Sequence, residues 1–390
     1  MKTTASCFLV LLLMIASIAT AQRPCNEPPH RSLTDWAQFH FDDCLTGFNP
    51  YEFILSPATV GDLGLKWSYT TDTEVDSSPA VANGVVYVGS DAVHALNAST
   101  GAELWSFVTP GNLVISAPAV VNGVVYVGSA NGKVYALNAS TGSLVWSYTT
   151  GSYVDSSPAV ANGVVYVGSE DNNVYALNAS TGTKLWSYTT NSQVFASPAV
   201  ANGVVYIASE DNINNVYALN ASTGALVWSF TTGSGVISSP AVANGVVYIG
   251  VYGPGANVFA LDASTGAVLW SVSTSTNISG YVYSSPAVAN GVVYVGNLDG
   301  HVYALNASTG SKLWSYHTGG QVVSSPAVAN GVVYIGSYDH NVYALNASTG
   351  AKLWSYTTGD EVYSSPAVAN GVMYVGSVDN NVYAFGLPTH

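Results

Sequence analysis

Residues 156–166 read Ser-Ser-Pro-Ala-Val-Ala-Asn-Gly-Val-Val-Tyr, and this stretch recurs nearly letter for letter eight times in the 390-residue chain. Each copy places Asn-Gly between two apolar runs, which is the strongest short signal for a two-residue β-hairpin. A period of about 40 residues is typical of propellers and solenoids. The repeat therefore predicts an all-β protein built from eight copies of one unit. The prolines that mark the copies are Pro79, Pro118, Pro158, Pro198, Pro240, Pro286, Pro326 and Pro366.

Each unit contains three clear strand patterns and a fourth that is marked by tryptophan. The second and third strands of the third unit, residues 164–167 and 174–177, are continuous apolar runs rather than alternating ones. Such runs indicate strands that are buried on both faces. Four short antiparallel strands with both faces buried fit blades that stack around an axis. We therefore predict an eight-bladed β-propeller of four-stranded antiparallel blades.

The tryptophan strands predict how the ring closes. The first of them precedes the first Ser-Ser-Pro unit, and the last unit ends at residues 382–387 without one. The N-terminal tryptophan strand, residues 63–70, is therefore expected to complete the C-terminal blade, which removes exposed sheet edges. We assign a structural role to the eight tryptophans: Trp67, Trp105, Trp146, Trp186, Trp228, Trp270, Trp314 and Trp354.

A family resemblance rests on the spacing around these tryptophans. From Ala95 to Trp105, alanine stands first, Gly101 seventh and tryptophan eleventh, and later units repeat the pattern. The pattern resembles the tryptophan-docking repeat of the quinoprotein, or PQQ-like, β-propellers, over roughly residues 63–387. In that family the tryptophans wedge between neighbouring blades, and BamB-like secreted members work by docking partners. The resemblance thus implies the propeller fold and a BamB-like secreted member.

The beginning of the chain predicts export. Residues 1–21 combine Lys2, an apolar run over residues 8–16 and small residues at Ala19 and Ala21, a pattern typical of a cleavable signal peptide. The apolar run is too short to span a bilayer comfortably, and we predict no transmembrane anchor. We expect a secreted protein, extracellular or periplasmic, and a monomer. The predicted divisions are a signal peptide at 1–21, a leader segment at 22–62 and the propeller at 63–390, with the leader packed outside the ring or across one face.

Two cysteines remain after the signal peptide is removed. Cys25 and Cys44 both precede the repeats, in a chain that is bound for an oxidising compartment. We therefore predict a Cys25–Cys44 disulfide. Closing a loop of roughly 20 residues contributes about 3 kcal/mol on the chain-entropy estimate and would order mainly the leader.

The charge pattern excludes several classes of partner. The net charge is −14, yet only 8% of the residues are charged, so the surface is largely neutral and polar. Nucleic acid is excluded because binding its phosphates needs clustered Lys and Arg, whereas Arg23 and Arg31 both precede the repeats. The acidic residues at turns, such as Glu74 and Asp76, are interpreted as turn formers, although an anionic face that attracts Ca²⁺ or a basic partner is an alternative.

The same charges bear on the cofactor that the family resemblance suggests. PQQ carries three carboxylates, but the propeller has five lysines and no arginine, and only Lys133 could face a central ligand. The adjacent cysteine pair of the quinoprotein dehydrogenases does not occur, and no distinct Ca²⁺ ligand set can be picked out. We therefore predict no enzymatic activity and no cofactor, neither PQQ nor Ca²⁺.

Candidate binding residues are sought where the copies disagree. The turn at 210–215, the turn at 252–255 and the link at 273–283 depart from the repeat. Variable loops on a rigid scaffold often carry binding residues, although drift in loops that tolerate insertion is an equal alternative. The tentative binding residues are Tyr252, Asn257, Asn277, Tyr281 and Tyr283.

These observations lead to one main hypothesis and two alternatives. We expect an exported, non-enzymatic scaffold that binds a protein or glycan ligand through one face of the ring. A quinoprotein-like PQQ-dependent dehydrogenase and a structural cell-surface or matrix protein are the alternatives. The sequence contains no nucleophile elbow, zinc-protease helix or phosphate loop, so no catalytic residues are assigned.

Overall fold

The computed structural model describes residues 35–111, 113–210, 215–253, 258–274 and 281–388. Within these ranges the chain forms eight antiparallel four-stranded sheets, one of which gains a short fifth strand. A short strand, β1 Phe48–Asn49, and a 3-10 helix, Val60–Asp62, precede the blades, and β2 Gly64–Thr70 follows them. The predicted eight-bladed propeller is confirmed.

The strands of each blade run in order from the axis outwards. The innermost strands, which contact one another around the ring, are β3 Ala80–Ala82, β7 Ala119–Val121, β11 Ala159–Ala161, β15 Ala199–Ala201, β19 Ala241–Ala243, β23 Ala287–Ala289, β27 Ala327–Ala329 and β31 Ala367–Ala369. The second strands are β4 Val85–Gly89, β8 Val124–Ser129, β12 Val164–Ser169, β16 Val204–Ala208, β20 Val246–Gly250, β24 Val292–Gly296, β28 Val332–Gly336 and β32 Val372–Gly376. The third strands are β5 Ala92–Asn97, β9 Lys133–Asn138, β13 Asn173–Asn178, β17 Asn215–Asn220, β21 Val258–Asp262, β25 His301–Asn306, β29 Asn341–Asn346 and β33 Asn381–Gly386. The outer strands are β6 Glu103–Val108, β10 Leu144–Thr149, β14 Lys184–Thr189, β18 Leu226–Thr231, β22 Val268–Val272, β26 Lys312–His317, β30 Lys352–Thr357 and, in the eighth blade, β2.

The Asn-Gly pairs form the hairpins between first and second strands. In the third blade Asn162 has φ 51° and Gly163 has φ 77°. Two positive φ angles are what a type I′ turn requires, and Asn and Gly tolerate them best. The second and third strands that follow, around Val165 and Leu177, are fully buried between neighbouring blades. The apolar runs therefore form the core, as their continuity predicts.

The tryptophans join each blade to the next. The indole N–H of Trp146 donates to the carbonyl of Ala179 at 2.9 Å, and the ring covers Gly182 so closely that a Cβ there would lie 2.7 Å from ring carbons. Seven blades repeat this contact with an alanine carbonyl, and in the seventh blade Trp354 donates to the carbonyl of Leu63 instead. Each buried aromatic ring of this kind contributes on the order of 2 kcal/mol.

The ring closes through its two ends. The strand Gly64–Thr70 pairs antiparallel with Asn381–Gly386 and forms the outer edge of the eighth blade. The first and last parts of the propeller thus share one sheet, and the predicted closure by an N-terminal tryptophan strand is confirmed.

The leader fills the central channel, which differs from the expected position outside the ring or across one face. Residues 35–50 wind around the channel and pair with the inward edges of the innermost strands. Seven backbone N–H groups donate to the leader: Val81 to Trp36 O (2.6 Å), Val120 to Ala37 O (2.6 Å), Val160 to Gln38 Oε1 (3.3 Å), Val200 to Asp43 O (2.5 Å), Val242 to Cys44 O (2.9 Å), Val288 to Thr46 O (2.7 Å) and Val328 to Gly47 O (2.7 Å). In the eighth blade the direction reverses, and Asn49 Nδ2 donates to the carbonyl of Val368 at 2.9 Å.

Hydrogen bonding to the innermost strands explains why the leader lies in the channel. The inner strands have a free edge, and buried N–H groups without partners are costly. The leader supplies those partners, and we call residues 35–50 the axial plug. Cys44 is buried in the plug, whereas Cys25 lies outside the described residues, so the Cys25–Cys44 disulfide stays a prediction. Among the residues described, no helix is long and apolar enough to cross a membrane.

Candidate functional site

The two faces of the ring carry different connections. The upper face carries the turns between second and third strands and the links from blade to blade; the lower face carries the Asn-Gly turns. The leader is anchored at the lower face on both sides of the plug. Asp35 Oδ2 accepts the N–H of Asn83 at 3.1 Å, and Glu52 Oε2, just after the plug, accepts that of Gly371 at 2.9 Å. The centre of the upper face therefore lies above the plug, and the plug forms its floor.

A belt of serines fixes the blade links around this centre. The serine immediately before each repeat proline accepts, through Oγ, the N–H of the corresponding residue in the preceding blade. Seven such links occur, from Ala117 to Ser157, Ser157 to Ser197, Ser197 to Ser239, Ser239 to Ser285, Ser285 to Ser325, Ser325 to Ser365 and Ser365 to Ser78, at 2.8–3.0 Å. Ala117, which has no hydroxyl, stands at the eighth position. The Ser-Ser-Pro repeat thus builds a rigid rim.

Two repeat positions next to this rim vary from blade to blade. The residue three places before the proline is Asp76, Ile115, Asp155, Phe195, Ile237, Tyr283, Val323 or Tyr363. The second position varies as well. It lies two places after the last glycine of the second strand, or after Ala208 in the fourth blade, and in blades two to eight it is Ala130, Glu170, Glu210, Tyr252, Leu298, Tyr338 or Val378. In a chain of near-identical copies these positions carry most of the chemical diversity of the upper face.

Aromatic residues cluster on the side formed by blades five to eight. The ring of Tyr252 lies 4.5 Å from that of Tyr281 and 4.9 Å from that of Tyr283, and the ring of Tyr338 stacks on that of Tyr363 at 4.5 Å (all between centroids). Burial and a hydrogen bond with Tyr252 raise the pKa of Tyr283 to about 12. We call these five residues the tyrosine arc.

A group of carboxyls lies in blades one and three, and a further one, Glu361, accepts the hydroxyl hydrogen bond of Tyr363 within the tyrosine arc. Oδ1 of Asp76 and Oδ1 of Asp155 are buried and have no hydrogen-bond partner among the described residues. Burial, with a smaller effect of the Glu74 charge, raises the pKa of Asp76 to about 6. Burial and the neighbouring Asp155 raise the pKa of Glu170 to about 7. We call Glu74, Asp76, Asp155 and Glu170 the carboxylate arc.

A cavity of about 400 Å³ opens beside Asp76, between the first two blades. Its acidic wall contains Asp72, Glu74 and Asp76, and its apolar wall contains Leu113 and Ile115, both of which are partly exposed. Asp76, whose Oδ1 is buried without a described partner, therefore lines a space that a small molecule can enter.

The sequence-predicted binding residues are brought together in part. Tyr252, Tyr281 and Tyr283 meet in one cluster, whereas Asn257 and Asn277 lie outside the described residues. Sequence reasoning missed Tyr338 and Tyr363 because their repeats have regular lengths and only loops of unusual length were considered. It interpreted Asp76 and Asp155 as turn formers. The signal that could have found all four is the variation of two positions among otherwise invariant copies.

A family comparison covers the propeller. A model of PQQ-type repeats, described as "Outer membrane protein assembly factor BamB", matches residues 64–157, 150–250, 214–326 and 317–387. The quinohemoprotein alcohol dehydrogenase of Comamonas testosteroni is 34% identical over 77 residues, which are 19% of this chain and 11% of that enzyme. The sequence match thus spans about a tenth of the length of that relative.

Solved structures with the same fold include enzymes and an assembly factor. The Comamonas testosteroni enzyme has a TM-score of 0.78 at 18% identity, covering 92% of this chain and 82% of that one. A europium-containing methanol dehydrogenase has a TM-score of 0.79 at 15% identity, covering 91% and 98%. BamB from Moraxella catarrhalis has a TM-score of 0.70 at 21% identity, covering 83% and 100%. At these identities the likeness shows the fold alone.

The comparisons overturn two predictions from the sequence. The prediction of no enzymatic activity is wrong, because the proteins that share the repeat and the fold include alcohol and methanol dehydrogenases. The prediction of no PQQ or Ca²⁺ is contradicted as well, since one of these relatives is a quinohemoprotein and another contains europium. Both predictions relied on the scarcity of cationic side chains, on the missing adjacent cysteine pair and on the lack of a distinct Ca²⁺ ligand set in the sequence. These features describe single residues and not the relatedness of the chain.

Proposed function

Because the chain belongs to the family of PQQ-type repeat proteins described as "Outer membrane protein assembly factor BamB", we propose that it is a quinoprotein-type dehydrogenase with its active site at the centre of the upper face. One observation carries this proposal: Asp76 has a buried carboxylate oxygen without a described partner beside a cavity, with its pKa raised to about 6. A carboxylate tuned in this way suits a general base that acts near neutral pH.

Two features of the upper face support the binding of a planar quinone with a metal ion. Stacked rings such as Tyr338 and Tyr363 offer a surface on which a planar ring system packs. Burial and the neighbouring Asp155 raise the pKa of Glu170, and a divalent cation would relieve the repulsion between the two carboxylates. Within the described ranges no three His, Cys, Asp or Glu side chains converge on a metal position, so oxygen atoms of the cofactor would have to complete the ligand set.

The roles of the protein residues follow from these positions. PQQ would supply the two-electron oxidation of an alcohol group. Asp76, which lines the cavity, would accept the hydroxyl proton of the substrate through its carboxylate. The apolar wall of the cavity, which includes Leu113 and Ile115, would contact the carbon skeleton of the substrate. The axial plug, which pairs with all eight innermost strands, would keep water from reaching the site through the channel.

Reconstitution tests this function. Purified protein is incubated with PQQ and Ca²⁺, or with PQQ and Eu³⁺, and the reduction of an artificial dye is followed with a panel of alcohols and sugars. We expect activity that needs both quinone and metal, and that falls by roughly 100-fold in Asp76→Asn because the general base is lost.

The matched control is Asp262→Asn. It also removes one carboxylate, but on the lower face, at a position where six other repeats carry Asn, so activity should be unchanged. Absence of any quinone-dependent activity with either metal, or equal activity in Asp76→Asn and the unmodified protein, would refute the proposal.

Binding of a protein or glycan is a second candidate function for the same face. It is favoured by the tyrosine cluster, in which Tyr252 remains 36% exposed, because tyrosine is enriched at binding hot spots. The fold also covers the whole of the Moraxella catarrhalis BamB chain. A screen of glycans and periplasmic proteins, repeated with Tyr252→Ala and Tyr281→Ala, tests it; binding that the two changes leave unaltered would exclude this site.

We further propose that the chain is exported, with residues 1–21 as a signal peptide, residues 22–62 as the leader and residues 63–390 as the propeller. Export would also provide the oxidising compartment that a Cys25–Cys44 disulfide needs. Mass spectrometry of the secreted chain, before and after reduction, measures both the cleavage site and the pairing.

A further inference from the structure

The sixth blade carries two histidines side by side at its outer rim. His301 and His317 are directly opposite each other on neighbouring antiparallel strands, and their ring centroids lie 4.6 Å apart at an interplanar angle of 74°. The side chain of His301 is about one-third exposed, and His317 is exposed. Both rings are therefore within reach of solutes.

The other blades show that this pair is a specific departure from the repeat. In the third blade the corresponding residues are Asn173 and Thr189, which are joined by a hydrogen bond of 2.7 Å. The seventh blade has the same pair at the same distance, and the eighth has it at 2.6 Å. The sixth blade replaces both members of a hydrogen-bonded pair with imidazoles.

A carboxylate orients one of the two rings. Nδ1 of His301 lies 3.2 Å from Oδ1 of Asp299, and Asp299 is itself held by the hydroxyl of Tyr303 at 2.7 Å. Because Nδ1 faces the carboxylate, Nε2 is the nitrogen that is left for a ligand. Donation of the second ring N–H to a carboxylate is the usual arrangement of a metal-binding histidine.

The distance between the rings indicates which metal fits. A metal ion that is 2.0–2.1 Å from a nitrogen of each ring lies about 3.2 Å from each ring centroid. For an ion that lies on the lone-pair axis of one nitrogen in each ring, a centroid separation of 4.6 Å corresponds to an angle of about 90° between the two ligands. This is a cis angle of square-planar coordination and narrower than a tetrahedral one. Square-planar nitrogen and oxygen ligands favour Cu²⁺, which also binds most tightly in the divalent series.

We propose that His301 and His317 form a surface site for a divalent copper ion, with Asp299 positioning His301 and with water as the remaining ligands. Within the described residues no third His, Cys, Asp or Glu joins the two imidazoles around a common point. The site is consequently open to exchange with solution. It lies on the outer strand of a blade and is separate from the tyrosine and carboxylate arcs.

Copper binding to the full chain without an affinity tag tests the site. Cu²⁺ is titrated in by calorimetry, and its ligands are identified by electron paramagnetic resonance. We expect one copper ion with nitrogen ligands at pH 7.5. Asp299→Asn should weaken binding by roughly 10-fold.

The decisive variant is His301→Asn with His317→Thr, which restores the residues of the third and seventh blades and therefore preserves the fold. It should lose this copper ion, whereas His340→Asn, the matched control in the seventh blade, should keep it. Equal copper binding by the double variant, or a spectrum without nitrogen ligands in the unmodified chain, would overturn the proposal.

Discussion

The residue three places before each repeat proline is aspartate in blades one and three, tyrosine in blades six and eight, and apolar in the other four. The backbone is nearly the same in all eight copies, so each side chain takes its properties from what surrounds it on the upper face. Asp76 is one such case, because burial and Glu74 hold its pKa at about 6 instead of 3.8. At the outer rim, too, the side chains differ on an unchanged backbone. His301 and His317 replace an Asn-Thr pair, and the two strands keep their regular pairing.

The raised pKa of Asp76 predicts a pH-dependent stability. Between about pH 4 and pH 6 the folded chain binds this proton and the unfolded chain does not, so the free energy of unfolding falls as the pH rises through this window. After allowance for solvent screening of a partly exposed group, the effect is on the order of 1–2 kcal/mol. Asp76→Asn should therefore be more stable than the unmodified protein at pH 7.5 and equally stable at pH 4, as measured by urea unfolding.

The comparison variant for this effect is again Asp262→Asn. Asp262 is exposed, and hydrogen bonds to Ser264 and Thr265 lower its pKa, so removal of its charge should not increase stability at pH 7.5. A stability gain of Asp76→Asn that is the same at both pH values would contradict the assigned pKa.

At the scale of the element, the blade links are held by one short motif that is used eight times. In each Ser-Ser-Pro link the second serine forms the belt hydrogen bond to the neighbouring blade. The first serine accepts the N–H of a glycine in the second strand, as Ser156 does from Gly168 at 3.0 Å. The fourth blade departs from this pattern at both positions, with Ala196 and Ala208 in place of the serine and the glycine. The Ser-Ser-Pro motif, whose repetition first suggests a functional signature, therefore has a structural role.

The missing belt link predicts a stabilising substitution. Ala117→Ser would place a hydroxyl where the N–H of Ser78 can donate, as in the other seven junctions. A buried hydrogen bond of this kind contributes about 1 kcal/mol. Ala117→Ser should therefore raise the free energy of urea unfolding by about that amount.

The opposite change is Ser157→Ala, which removes the existing belt hydrogen bond between Ala117 and Ser157, at the junction of the second and third blades. It should lower stability by about 1–2 kcal/mol, because it leaves the N–H of Ala117 buried without a partner. If Ala117→Ser destabilises the protein instead, the second blade lacks the space that the other blades provide.

At the scale of the whole molecule, two segments before the first repeat complete the ring in different ways. The strand Gly64–Thr70 closes it at the rim, and the axial plug closes it at the centre. Their roles are separable, because the first supplies a missing strand to one blade and the second pairs with the free inner edges of all eight.

Truncation distinguishes the two roles. A chain that lacks residues 22–50 keeps the closing strand and should fold as a monomer, but the N–H groups of Val81, Val200 and Val288 should lose protection from hydrogen exchange because their acceptors are gone. A chain that lacks residues 22–70 should aggregate, because its eighth blade exposes an unpaired edge. Unchanged protection of those valines in the shorter truncation would show that the plug does not pair with them in solution.

Much of the fold could be predicted because the same local patterns occur eight times in the sequence. Asn-Gly fixed the hairpins, the apolar runs fixed the buried strands, and the surplus tryptophan strand before the first unit predicted closure. Tyr252, Tyr281 and Tyr283 could be selected from loop lengths, since insertions stand out against a constant period. Their position on one face with Tyr338 and Tyr363 could not, because these residues come from different blades and only the stacking of consecutive blades brings them near one another.

The sequence by itself determined the number of blades, the strands of each blade and the way the ring closes, because these depend on local hydrogen bonding and on burial patterns that repeat along the chain. Only the tertiary structure decided where the leader lies and which side chains surround the axis. The physical reason is that eight inner edges with unpaired N–H groups exist only once the ring has formed. The partners that these edges recruit, and the residues gathered above them, follow from the geometry of the closed ring.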